Sequence, residues 1–337
     1  MDKAGFMDYC AKAGLNEKIT QVSTGLVAKF EDFLKKGKEK KDFISASPSD
    51  VQRYVEYLVE EGRNTIDNFA ALLRYARFVN KREIISFLFG YLEGFGALEK
   101  LFDTLKETLG EDQRDKIFEG ISLPPLGADP KDKPEVTRRI MERLEAALDE
   151  KTLKEIMSSG LDVRPRESYL PLREEFLKAK NLDDFLRKRH QESVEMLEKH
   201  RREKTMFFAQ EIDEEVVEYV RNNPEIMGGV REGDVIYETK IPYMTKKFLH
   251  EKDEKMKRYY ACHCGCVREG IRSGLKVSPN FCYCSAGYHK RPWEIIFDQP
   301  LKAEVMKTLL KGDLVCRFAI HIPKQFLESK GATQKSK

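Results

Sequence analysis

No stretch of this 337-residue sequence approaches 18 uninterrupted apolar residues, so nothing in it reads as a membrane span. The most apolar window, Ile84 to Phe102, is broken by Glu93 and Glu99. The opening residues, Met-Asp-Lys-Ala-Gly-Phe, lack a basic region followed by an apolar one, and no signal peptide is expected. Charge of one sign is lacking too. Lys and Arg number 60 against 57 Asp and Glu, a formal net charge of +3, whereas a surface that tracks phosphates needs a clear excess. Cysteine is nearly absent from most of the chain: of seven, only Cys10 precedes Cys262. A secreted disulfide framework spreads its pairs through the sequence, so the expected location is a reducing cytoplasm.

Length suits two domains. The expected fold class is α+β: an all-helical domain over residues 1–121, a linker over 122–134, a mixed α/β domain over 135–326 with a cysteine-rich metal site, and a disordered tail at 327–337. Ser47-Pro48-Ser49-Asp50 has the order of an N-cap, a first-turn proline and a capping carboxylate. Val51, Tyr54, Val55 and Leu58 then repeat at helical spacing until Gly62. A second helix starts near Thr65, and others are expected at 82–109, 111–119 and 182–204. Ile121 to Pro134 holds four prolines in fourteen residues, which removes donors and disfavours helix. Later, Val235 to Ile241 reads as a strand, 244–249 as a short helix and 302–310 as another.

The chemistry is concentrated in Cys262-His263-Cys264-Gly265-Cys266, Cys282-Tyr283-Cys284 and Cys316. In an extended segment Cys262 and Cys266 would stand about 13 Å apart, whereas two thiolates on one zinc are roughly 3.7 Å apart. One ion therefore cannot take all three from a straight chain, and Cys266 is set aside as the start of a following helix. The candidate metal ligands are Cys262, Cys264, Cys282, Cys284 and Cys316. Thiolates select zinc or iron–sulfur chemistry over magnesium or calcium, and zinc is the expected cofactor ahead of an iron–sulfur cluster. A redox thiol centre and inert buried cysteines remain open. The two-residue spacing of zinc knuckles is absent.

The run Phe281-Cys-Tyr-Cys-Ser-Ala-Gly-Tyr-His-Lys-Arg-Pro-Trp-Glu-Ile-Ile-Phe, with Gly312-Asp313, Cys316 and Phe318, resembles the 4-vinyl-reductase-type small-molecule-binding domain. It is also similar to the L-2-amino-thiazoline-4-carboxylic acid hydrolase-like proteins. The resemblance implies metal ligation by Cys282 and Cys316. The family's intervening glutamate and cysteine are missing from Val305 to Thr308, and Cys262, Cys264 and Cys284 stand as replacements. Thr65 to Phe78 resembles, more loosely, the helical core-binding domain of tyrosine recombinases. None of the six histidines is followed by arginine three residues on, so that catalysis is not expected here.

Two functions follow as expectations. One is a zinc-dependent hydrolase of a small amide, cyclic imine or carbon–sulfur compound, with Glu269 or His289 as proton acceptor. Arg258, Arg268 and Lys290 would hold a carboxylate, and Trp293 would line the pocket. The alternative is a noncatalytic small-molecule or redox sensor whose helical N-terminal domain contacts a partner, nucleic acid among the candidates. A closed, purely structural zinc site is the third reading.

Overall fold

The capping box expected at Ser47 is present in the computed structural model, which describes residues 1–37, 39–159 and 164–328. The Asp50 carboxylate accepts from the Ser47 N–H at 2.8 Å, and Ser47 Oγ caps the Asp50 N–H. Five helices share the first apolar core: α1 (Lys3–Lys12), α2 (Glu17–Lys36), α3 (Pro48–Glu60), α4 (Ile66–Phe78) and α5 (Arg82–Leu92). Phe6, Phe30, Phe43, Phe69 and Tyr75 fill it. The helix expected over 82–109 is two. Gly94 and Gly96 take φ of +72° and +78°, a conformation only glycine adopts cheaply, and α6 (Ala97–Leu109) leaves in a new direction.

That break also parts the cores. α6 and α7 (Glu111–Phe118) bury Leu98, Leu101, Leu105 and Phe118 with residues from beyond the proline-rich segment. These come from α8 (Lys133–Ala147) and α9 (Glu150–Ser158) and from the cysteine region. The apolar clusters therefore divide between α5 and α6 and not at 122–134.

Next come α10 (Leu170–Lys178), α11 (Leu182–Glu203), a two-residue hairpin of β1 (Met206–Phe207) and β2 (Gln210–Glu211), and α12 (Glu214–Arg221). The strand expected at 235 is β4 (Val235–Thr239). It lies in an antiparallel sheet of order β3-β4-β6-β5, with β3 (Val230–Glu232), β5 (Ala303–Lys307) and β6 (Arg317–His321). The helix expected over 302–310 is thus corrected to the edge strand β5 and a single 3₁₀ turn at Leu309–Lys311. Pairing of Ala303 with Ile320 and of Val305 with Phe318 satisfies the backbone there, and Gly312 at φ +101° ends the turn.

Short helices α13 (Thr245–His250), α14 (Glu254–Ala261) and α15 (Arg268–Ser273) carry the chain through the first cysteine group. α16 (Tyr283–Phe297) lies across one face of the sheet, and α17 (Lys324–Glu328) follows β6. α17 takes in Leu327 and Glu328, and the rest of the tail expected at 327–337 lies outside the described residues. Helices with one small antiparallel sheet make the chain α+β. Among the described residues, no helix is long and apolar enough to cross a membrane.

Candidate functional site

The register of β4 and β6 builds one wall. Side chains alternate across a strand, and Ile236 pairs with Ile320 and Glu238 with Phe318. Ile236, Glu238 and Lys240 therefore share a face with Cys316, Phe318 and Ile320. α16 covers that face with Cys282, Ser285, Ala286, His289 and Trp293, residues spaced to fall on one helical stripe. The contacts follow this order. Trp293 Nε1 donates to Glu238 Oε1 at 3.0 Å, His289 Nδ1 meets Glu238 Oε2 at 2.6 Å, and Lys240 Nζ donates to Ser285 Oγ at 3.1 Å. Thr308 Oγ1 donates to Cys282 Sγ at 2.8 Å.

The first cysteine group is a turn and not the extended segment considered from sequence. Cys262 closes α14, and the Val267 and Arg268 N–H groups both return to the Cys264 carbonyl, at 3.2 and 2.9 Å. Gly265 is required here because a Cβ would stand 2.0 Å from the Glu93 carbonyl oxygen. Cys266 points to the α5–α6 break, 3.6 Å from the Gly94 carbonyl. The His263 ring spends Nε2 on the Ile241 carbonyl at 2.6 Å.

Thiols from three segments lie within electrostatic reach of one another. The ionisation of Cys262 responds to Cys264 and Cys316, and that of Cys282 to Cys316, Cys262 and Cys264. Cys266 responds to Cys264 and Cys284. Cys262, Cys282 and Cys316 are each affected by Cys264, and Cys266 is hydrogen-bonded to Cys264. Burial pushes the Cys262, Cys282 and Cys316 thiols up. Cys264 goes the other way, to about 7, because Cys266 hydrogen-bonds to it and Lys240 is near. Cys264, Cys282 and Cys316 each keep some accessible surface although burial, or a partner thiol, governs their ionisation. Among the described residues, no three His, Cys, Asp or Glu side chains are gathered closely enough to hold a metal ion as they stand.

Cations surround the thiols. Lys240 lowers Cys264 and Cys316, Arg268 lowers Cys262, and Lys133 lowers Cys266. Arg268 is itself buried against Glu93 at 2.8 Å and stacks on Tyr243. Burial pushes the Glu93 carboxyl up to about 8 in spite of that arginine. Lys133 Nζ donates to the Tyr91 carbonyl at 3.1 Å. For Glu238, burial works to raise the carboxyl, but Arg189 at 2.8 Å and His289 outweigh it and hold it at about 2. Burial lowers His289, against the pull of Glu238, and lowers His263 to about 3.

The other expected site residues are dispersed. The Glu269 carboxylate is taken by the Tyr259 hydroxyl at 2.8 Å and by Arg272 at 2.7 Å. Arg258 donates to the Leu309 carbonyl at 3.2 Å, and Lys290 pairs with Glu294 at 3.0 Å. Trp293 is fully buried. Arg258, Arg268, Lys290 and Trp293 are not brought to one place. Glu238, Lys240 and Thr308 were missed. Glu238 and Lys240 had a signal, since they alternate with Ile236 on one face of a segment already read as β; Thr308 had none. No family model, no curated protein and no solved structure matches the chain.

Proposed function

We propose that the protein handles a small molecule at a buried zinc–thiolate centre held by donors from Cys262, Cys264, Cys282 and Cys316. One observation carries this reading: the Lys240 N–H donates to the Cys316 carbonyl, the next residue's carbonyl meets the His263 ring at 2.6 Å between Cys262 and Cys264, and so thiols from separate segments lie near enough for Cys262, Cys264, Cys282 and Cys316 to act on one another's ionisation, with Lys240 and Arg268 lowering some of them. Inert cysteines need no cations, whereas thiolates taken from water do. The donor set has the softness that selects zinc. Turning one side chain between staggered wells moves its sulfur by about 3 Å, which is the scale of adjustment a closed shell requires. Bound zinc would supply Lewis acidity toward a carbonyl or imine. Of the expected proton acceptors, Glu269 has both oxygens engaged, and His289 keeps its Nε2 for the centre.

A groove of ≈ 700 Å³ is lined by Arg138, Lys255, Arg258, Lys276 and Lys311 together with Glu142 and Glu145, and Leu309 is also in its lining. The Leu309 N–H lowers the Cys316 thiol, and the excess of cations suits an anionic small molecule in the groove. A sensor reading has its own support. Cys264-Gly265-Cys266 is seated on Glu93 and Gly94, so a rearrangement of the thiols would reach the joint between the two large helical cores.

The test is elemental analysis of purified protein with a parallel assay for inorganic sulfide. About one zinc per chain, lost together with thermal stability in Cys282→Ser and Cys316→Ser, is the expected result. Stably folded, metal-free protein would end the reading, and iron with sulfide would replace zinc by a cluster.

A further inference from the structure

The imidazole of His289 is held on two sides and open on a third. Its ring stacks on Phe318, with centroids 4.6 Å apart at 26°, and Phe318 lies two residues beyond Cys316 on the same sheet face. His289 itself lies seven residues beyond Cys282, two turns along the same face of α16. Nδ1 meets Glu238 Oε2 at 2.6 Å, and Glu238 is kept ionised by Arg189. A carboxylate at Nδ1 draws the ring proton to that side and leaves the lone pair on Nε2. Nε2 is buried and has no hydrogen-bond partner. An acceptor left so loses its hydration without a replacement. Lys240, on the same strand face as Glu238, ties the neighbourhood together: its Nζ donates to Ser285, one turn before His289 on α16, and its N–H donates to the Cys316 carbonyl at 3.0 Å.

We propose that His289 Nε2 is a nitrogen donor to the metal, so that the shell is three of Cys262, Cys264, Cys282 and Cys316 together with His289. The proposal rests on the zinc–thiolate reading above. A carboxylate behind a metal-bound imidazole is the arrangement that orients such a ligand and raises its basicity. Charge favours it as well. Three thiolates and a neutral imidazole around a divalent ion leave one net negative charge, and Lys240, which has no carboxylate partner among the described residues, offsets it. His263 is adjacent to two of the cysteines in sequence and would be the first choice on spacing alone, but its Nε2 is already spent on Ile241.

X-ray absorption on the zinc-loaded full-length protein tests this without any variant. The expected spectrum combines sulfur near about 2.3 Å with one nitrogen near about 2.0–2.1 Å and the multiple scattering of an imidazole. His289→Ala should abolish the imidazole signature while circular dichroism confirms the fold. Glu238→Gln should keep it and weaken zinc binding about 10- to 100-fold in competition with a chelator. A sulfur-only shell, or an imidazole signature that survives His289→Ala, overturns the proposal and leaves the zinc centre standing. Protein that binds no zinc removes the centre itself, so the two failures are told apart.

Discussion

Replacing Glu238 by glutamine should destabilise the protein by about 3 kcal/mol at neutral pH. The carboxyl is buried, and its partners hold it at about 2 against an ordinary 4.5, a difference worth about 3 kcal/mol at roughly 1.4 kcal/mol per tenfold change. Breaking a buried ion pair from one side costs a similar 3–5 kcal/mol or so. Glutamine keeps one acceptor oxygen but must turn an amide N–H₂ toward one of three donors, Arg189, Trp293 or His289. The sign with pH is fixed by the direction. A carboxyl depressed on folding contributes fully above its unfolded value, near about 4.3, and loses that contribution as pH falls through about 2. The gap between wild type and variant should therefore be constant above about pH 5 and close toward pH 2. Trp293 is the sole tryptophan and donates to Glu238, so urea unfolding followed by its fluorescence reads the site directly. The exposed Glu232→Gln is the control, expected within about 0.5 kcal/mol. A loss under about 1 kcal/mol for Glu238→Gln, or a gap that does not narrow in acid, would refute the assignment of Glu238 as an ionised buried hub.

Two glycines should respond in opposite directions. Gly265→Ala meets backbone at 2.0 Å and should cost about 1–3 kcal/mol, while Gly25→Ala, helical with open space around it, should gain up to about 1 kcal/mol in the same urea assay. Ser47→Ala removes one half of the capping box and should cost about 1 kcal/mol at pH 7. Asp50 is held at about 2, its burial outweighed by Ser47 and Lys41. Asp50→Asn should therefore destabilise near neutrality and approach wild type as pH falls through about 2; equal penalties at pH 7 and pH 2 would refute that.

Local signals were read well from sequence wherever one segment carried the whole cause. Ser47 and Asp50 cap a helix with atoms of their own neighbours, and Val235 to Thr239 alternates as a strand. The helix expected over 82–109 is broken at Gly94 and Gly96, and only the structure shows that they divide the two cores. The helix expected over 302–310 is a strand and a turn, because pairing with β6 satisfies its backbone. The crowding of the cysteines was likewise legible, since six of the seven fall within 55 residues. Which residues stand around them was not. Glu238, Lys240 and Thr308 lie on separate segments from the thiols and reach them only through sheet register, and Glu269, though close in sequence, is turned to Tyr259 and Arg272. The sequence by itself determined the donor chemistry, because side-chain type is local. Which side chains meet across segments, and which histidine keeps a ring nitrogen without a partner, is settled only by the fold, because each depends on contacts between residues far apart along the chain.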